Sequence, residues 1–207
     1  KANSFLVDNL ITGISRLEYR GYDSAGIAII TEWQSEILRE RAIGKVRELE
    51  SKVANNTVIK SIQTGIGIAH TRWATHGWVE IVNCHPHLSG NGRFALVHNG
   101  IIENYLDIKE ELVKQGAKIN SDTDSELVAH LIANEVEITK DLKKAVENIL
   151  DKLKGAFSIV VMWEKNPNEL IAFKDGPPLV VGLGKGENFV ASDVQALISY
   201  TNQFIYL

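Results

Sequence analysis

Ile66-Gly67-Ile68-Ala69-His70-Thr71-Arg72-Trp73-Ala74-Thr75-His76-Gly77 carries an apolar run into a dense group of polar side chains. Ile66 and Ile68 have the alternating spacing of a strand, and the residues after them read as the place where that strand passes into a loop. Such a point can grip a small polar molecule. The guanidinium of Arg72 offers a planar fork for a carboxylate, Thr75 and His76 offer directional hydrogen bonds, and Trp73 can wall off water. The same residues also suit a surface loop with scattered polar groups, so the neighbouring segments decide.

Toward the N-terminus, Leu6, Val7, Leu10, Ile11, Ile14 and Leu17 recur at helical spacing and predict an amphipathic helix over residues 4–19 that packs on a sheet, with Gly21 as its stop. A polar run over residues 18–26 leads into a buried strand at 27–30. A second strand at 36–42 should pair with it as a hairpin, and 45–54 suits a short exposed helix. Toward the C-terminus, residues 94–97 form a strand, and the Asn99-Gly100 pair after it reads as a tight turn. Helices follow at 106–115 and 124–136, and a third runs from Thr139, as its cap, to Gly155. Strands at 157–163, 169–173, 179–182, 188–192 and 204–207 complete the chain.

Strands toward both ends with helices grouped between them predict an α+β layered fold, not a doubly wound parallel sheet. Gly182-Leu183-Gly184-Lys185-Gly186 has the composition of a phosphate loop, but a strand-like run follows it where a phosphate-binding helix would be needed. With 207 residues, 44% of them hydrophobic, the chain is long enough to bury the core of one domain. A net charge of -4, with both signs interspersed, argues against nucleic acid as a partner. The short apolar runs argue against a membrane span, and no signal-peptide pattern opens the chain, so a cytoplasmic protein is expected. The single cysteine excludes an internal disulfide.

Acyl transfer needs a nucleophile, a base, and donors aimed at the developing oxyanion. The Asn99 side-chain amide and the Gly100 N–H would make such a donor pair. Arg72 would bind a substrate carboxylate, and Asp122 or Asp124 could take an ammonium, although an aspartate there equally suits helix capping. Cys84 sits beside His85, but adjacent residues in an extended chain point to opposite sides, which disfavours a Cys–His pair. His85 and His87 without a third ligand make a weak metal site. The nucleophile is missing from this inventory.

Residues 17–26, 69–77, Asn83 with His85-Pro86-His87, and Val97-His98-Asn99-Gly100-Ile101-Ile102-Glu103-Asn104 resemble the glutaminase (class II glutamine amidotransferase) domains of the glutamine-fructose-6-phosphate aminotransferases, the glucosamine-6-phosphate synthases. The likeness continues through residues 121–124 and 187–193. The related amidophosphoribosyltransferases share the Asn-Gly pair but read differently at Tyr19-Arg20-Gly21-Tyr22 and Trp73-Ala74-Thr75-His76. The resemblance implies the αββα sandwich of N-terminal-nucleophile hydrolases, hydrolysis of L-glutamine to glutamate and ammonia, and no cofactor or metal. It implies Arg72 on the glutamine carboxylate, Asp124 on its amino group, and Trp73, Thr75, His76 and Gly100 around it. Asn99 and Gly100 would form the oxyanion hole, and Arg20 would order the loop near the nucleophile.

The resemblance also implies an N-terminal cysteine whose α-amine, titrating at about 7.7 to 8.0, takes the thiol proton. Here Lys1-Ala2-Asn3 leads directly into the first helix, so residues 1–207 are expected to be one glutaminase domain without its nucleophile strand. Sugar-isomerase domains that use fructose 6-phosphate, in a homodimeric full-length enzyme, would lie beyond Leu207. Trp78-Val79-Glu80-Ile81 departs from the family at the loop expected to close over glutamine. A glutamine-binding domain that has lost catalysis is the alternative reading.

Overall fold

Every strand pairing among the described residues is antiparallel, as a layered α+β fold requires. The computed structural model describes residues 6–31, 36–62, 64–73 and 78–207. The first helix, α1 (Leu6–Ser15), buries Val7, Ile11 and Ile14 at helical spacing. It stops short of the predicted end because the chain tightens into a 3₁₀ turn at Glu18–Arg20. Glu18 is used there as a tether: its Oε2 accepts a hydrogen bond from Val46 N–H at 2.7 Å. That carboxylate satisfies one of the orphan donors at the start of the helix that begins at Val46.

Strands β1 (Ser24–Ile30) and β2 (Leu38–Ile43) pair antiparallel, then helices α2 (Val46–Asn55) and α3 (Thr57–Lys60) lead to β3 (Ile66–Arg72). Val46, Leu49 and Val53 are buried, so α2 exposes only its opposite face. Strands β4 (His87–Leu88) and β5 (Phe94–Ile102) precede three helices, α4 (Tyr105–Lys114), α5 (Asp124–Thr139) and α6 (Leu142–Leu150). The last strands are β6 (Gly155–Trp163), β7 (Leu170–Asp175), β8 (Val180–Leu183), β9 (Asn188–Ala191) and β10 (Phe204–Tyr206). The sheets run β2-β1-β3, β4-β5-β6-β7 and β10-β8-β9.

Alternation along the strands sorts the core into layers. Ile27 and Ile29 face α1 and α2, while Ala28 and Ile30 face inward with Ile68 against Ala95, Val160 and Met162 of the four-stranded sheet. The other face of that sheet, with Phe94, Leu96, Ile159 and Val161, packs on Leu112, Leu127, Ile132 and Ile149 of α4, α5 and α6. The result is an αββα sandwich. Strand β1 is buried along its whole length, and apolar from Ala25 onward, because both of its faces are covered.

Two local expectations are corrected. Asn99-Gly100 is not a tight turn: β5 runs through both residues, which pair with Ser158 and Phe157 of β6. Gly100 has φ +124°, and a Cβ there would lie 2.0 Å from the Ala156 carbonyl oxygen, so only glycine allows the strand to pass. Thr139 does not cap α6. It is the last residue of α5, which Lys140 ends in a left-handed conformation (φ 56°), and Asp141 caps α6 by accepting from Lys144 N–H at 2.9 Å. The glycines at 182–186 join β8 to β9 as a hairpin, with Gly184 N–H bonded to Glu187 O at 3.0 Å.

Candidate active site

A cleft of about 560 Å³ runs between β3 and β9, and among its lining residues are Arg20, Arg72, Trp73, Asn99, Gly100 and Asp124. Each of the two strands ends its own sheet. Successive side chains on a strand point to opposite faces. The cleft nevertheless meets every residue from Gly65 to Trp73 and from Glu187 to Ser192, so it is bounded by two open strand edges rather than by two faces.

Asp124 opens α5, yet its carboxylate does not cap the helix; Thr123 does, accepting from Glu126 N–H at 3.4 Å. Asp124 Oδ2 instead accepts from Ile102 N–H at 2.8 Å, and Oδ1 accepts from the Ser125 hydroxyl at 3.2 Å, with His98 Nδ1 at 3.6 Å. Burial works against the ionised carboxyl. The interactions with His98, the Ile102 N–H and the Ser125 hydroxyl outweigh it and hold Asp124 below the usual carboxylate range. Asp122 is excluded from the cleft by a reciprocal pair with Asn83: Asn83 Nδ2 donates to Asp122 Oδ2 at 3.2 Å, and Asp122 N–H donates to Asn83 Oδ1 at 2.9 Å.

Beneath these groups lies a cluster of imidazoles. His70 and His85 have ring centroids 4.2 Å apart, and His85 and His87 meet edge to face at 4.6 Å. The Ser125 oxygen lies 3.0 Å from His85 Nε2 and 3.0 Å from His98 Nδ1. A hydroxyl that donates to Asp124 has two lone pairs left, one for each imidazole N–H. Burial lowers His70 to about 4 and His87 to about 3, and burial with three neighbouring imidazoles holds His85 well below its ordinary value. All three are neutral near pH 7. His87 Nε2 is engaged with Thr123 Oγ1 at 3.1 Å, so His85 and His87 each face a hydroxyl rather than a common ion. Among the described residues no group of three or more His, Cys, Asp or Glu could hold a metal.

Cys84 is fully buried, its Sγ donates to Glu80 O at 3.2 Å, and it does not line the cleft. Arg72 is the last residue of β3 and is buried, not an exposed loop residue as expected; burial lowers its pKa against the pull of Cys84, Asp23 and Asp124. Trp73, the residue after β3, is 57% exposed, with its ring 5.4 Å from that of Tyr22. Thr75 and His76 lie outside the described residues. Arg20 donates to Ser192 Oγ, just past β9, and Tyr19 OH to Asp193 Oδ2 at 3.2 Å. The structure therefore brings Arg20, Arg72, Trp73, Asn99, Gly100 and Asp124 to one cleft. His98 and Ser125 join them without having been singled out, because a buried hydroxyl and a strand imidazole carry no spacing signal.

A family model described as a glutamine amidotransferase domain matches residues 80–199. Glutamine–fructose-6-phosphate aminotransferase (isomerizing) of Aquifex aeolicus (strain VF5) is 50% identical over 198 residues, covering 96% of this chain and 32% of that protein. The enzyme of the same name from Haemophilus influenzae is 50% identical over 96% of this chain and 31% of its own length. The chain thus spans about a third of the curated relatives it matches. Among solved structures, a glutamine phosphoribosylpyrophosphate amidotransferase from B. subtilis aligns at 29% identity and TM-score 0.74, covering 96% of this chain and 41% of that one. A structure titled as the allosteric regulatory enzyme of purine biosynthesis aligns at 28% identity and TM-score 0.78, with the same coverage. The αββα sandwich is that of the N-terminal-nucleophile hydrolases.

Proposed function

This chain belongs to the family of glutamine amidotransferase domains, and from that premise we propose that its cleft binds L-glutamine and hydrolyses it to glutamate and ammonia. The observation that carries the reading is the convergence of a buried arginine, a buried carboxylate held ionised and the Asn99-Gly100 pair on one cleft. Arg72 takes the α-carboxylate, Asp124 takes the α-ammonium, and Trp73, Thr75, His76 and Gly100 surround the substrate. The side-chain amide of glutamine is then left to face Asn99. Arg20 holds the Ser192 loop beside the reacting centre.

The two open strand edges support a nucleophile carried on an extended segment between β3 and β9, ahead of α1, which makes residues 1–207 the remainder of one glutaminase domain. An N-terminal cysteine there would lose its proton to its own α-amine, and the thiolate would form a bond to the glutamine side-chain carbonyl carbon. The carbonyl electron pair moves onto oxygen, where the Asn99 amide and Gly100 N–H stabilise it. The C–N bond then breaks, ammonia leaves with the transferred proton, and water hydrolyses the thioester to glutamate.

In the full-length enzyme the ammonia would pass to fructose 6-phosphate in sugar-isomerase domains, giving glucosamine 6-phosphate in a cytoplasmic homodimer; the relatives at 50% identity support that acceptor. A phosphoribosyl acceptor is the second reading: the phosphoribosylpyrophosphate amidotransferase structure favours it, and its lower identity of 29% places it behind the first. Asn99→Ala in the enzyme with its N-terminal cysteine should lower turnover by about 10²–10³, the scale of one lost oxyanion donor. Ammonia release at the parent rate would refute the assignment.

A further inference from the structure

His70 belongs to β3 and Asn99 to β5, so the bond between them crosses from one inner sheet to the other. His70 Nε2 lies 3.0 Å from Asn99 Oδ1. An amide oxygen only accepts, so Nε2 carries the proton and Nδ1 is bare. Nδ1 is buried without a hydrogen-bond partner. The other tautomer would leave a buried N–H unpaired there, which is the costlier defect. It would also let the Asn99 carboxamide turn over and present its oxygen to the cleft.

From this geometry we propose that His70 is a positioning residue, which rests on the reading of Asn99 as an oxyanion donor: by holding Oδ1, it turns both amide N–H groups of Asn99 toward the cleft. The carboxamide is planar, with Nδ2 on the side of Cγ away from Oδ1, so fixing one atom aims the other. Without that bond the two orientations of the amide interchange, and one of them sets an oxygen against the developing negative charge. Burial keeps the imidazole neutral down to about pH 4, so no charge is added beside Asn99 near neutral pH. A half-buried His70 on a paired strand can also be replaced without removing a core side chain.

The test compares Asn99→Ala, His70→Leu, His70→Gln and the double variant His70→Leu/Asn99→Ala in the full-length enzyme carrying its N-terminal cysteine. His70→Leu should lower glutaminase kcat about tenfold or more with KM for glutamine unchanged, since Arg72 and Asp124 still hold the substrate. His70→Gln, which can donate to the same oxygen, should stay within about threefold of the parent. On the Asn99→Ala background, His70→Leu should cost nothing further, because no donor remains to be aimed. Should His70→Leu not fold, His70→Asn, too short to reach Oδ1, is expected to show the same loss and the same lack of additivity. An equal kcat loss on both backgrounds, or a loss confined to KM, would overturn the positioning role while leaving the proposed function intact. Asn99→Ala at parental turnover would overturn both.

Discussion

The floor of the cleft and its rim are built on different terms. On the floor, Asp124 accepts from Ile102 N–H and from Ser125, Ser125 receives His85 and His98, and Asn99 receives His70, all in buried or half-buried positions. On the rim, the cleft-lining Trp73 is 57% exposed, and Trp78, whose carbonyl oxygen accepts from Arg72 Nη1 at 3.5 Å, is 80% exposed. A floor bonded in this way has its donors and its charge in place before a substrate enters, which is where electrostatic catalysis is strongest. A rim of exposed rings can shape access, and it can change without disturbing the chemistry below.

The difference is broken most directly at Asp124. Asp124→Ala should raise KM for glutamine about 100-fold through loss of a charge-assisted contact, and should cost about 1–3 kcal/mol of stability because the buried Ile102 N–H loses its acceptor. Steady-state kinetics and a denaturant titration read the two effects separately. A parental KM would remove Asp124 from the binding site.

Acid probes the same floor without mutation. In the unfolded chain the histidines take protons near 6.5, whereas folded His70 does so only near 4 and His87 near 3. The unfolded state therefore binds more protons in that window, and stability present above pH 6.5 is lost as the pH falls toward 3–4. Each such imidazole steepens the loss by about 1.4 kcal/mol per pH unit. Glu126, lowered from 4.5 to about 2, adds to the loss only below about pH 4.5. Urea midpoints measured at pH 7, 6 and 5 should fall steadily; a flat profile would mean that the imidazoles reach water.

The rim should be nearly silent. Trp78→Ser removes a ring that is 80% exposed, so stability should change by less than about 0.5 kcal/mol and turnover by no more than a few-fold. A large loss of activity with an unchanged melting temperature would move Trp78 from the rim into the substrate's contacts.

Legibility in the sequence followed the same division. The covered strands and amphipathic helices were readable because burial leaves a pattern: Val7, Ile11 and Ile14 at helical spacing on α1, and the apolar run at residues 27–30, which the folded strand extends back to Ser24. That Arg72, Asn99 and Asp124 share one cleft was readable because few residue types suit a carboxylate, an oxyanion or an ammonium. Asn99-Gly100 was misread as a turn because local propensity favours one, while the deciding contact, Ala156 on β6, lies far away in the sequence. His70, His98 and Ser125 stayed hidden as supports for a related reason. Polar residues carry no period that separates a solvated position from a buried one, and only the folded neighbours reveal the difference.

Ammonia release from glutamine by purified residues 1–207, with and without an N-terminal segment that begins in cysteine, tests the central claim. The account predicts no turnover from the shorter form, since its one cysteine, Cys84, is buried away from the cleft, and turnover on adding the segment. Equal glutaminase activity in both forms would contradict a nucleophile held between β3 and β9.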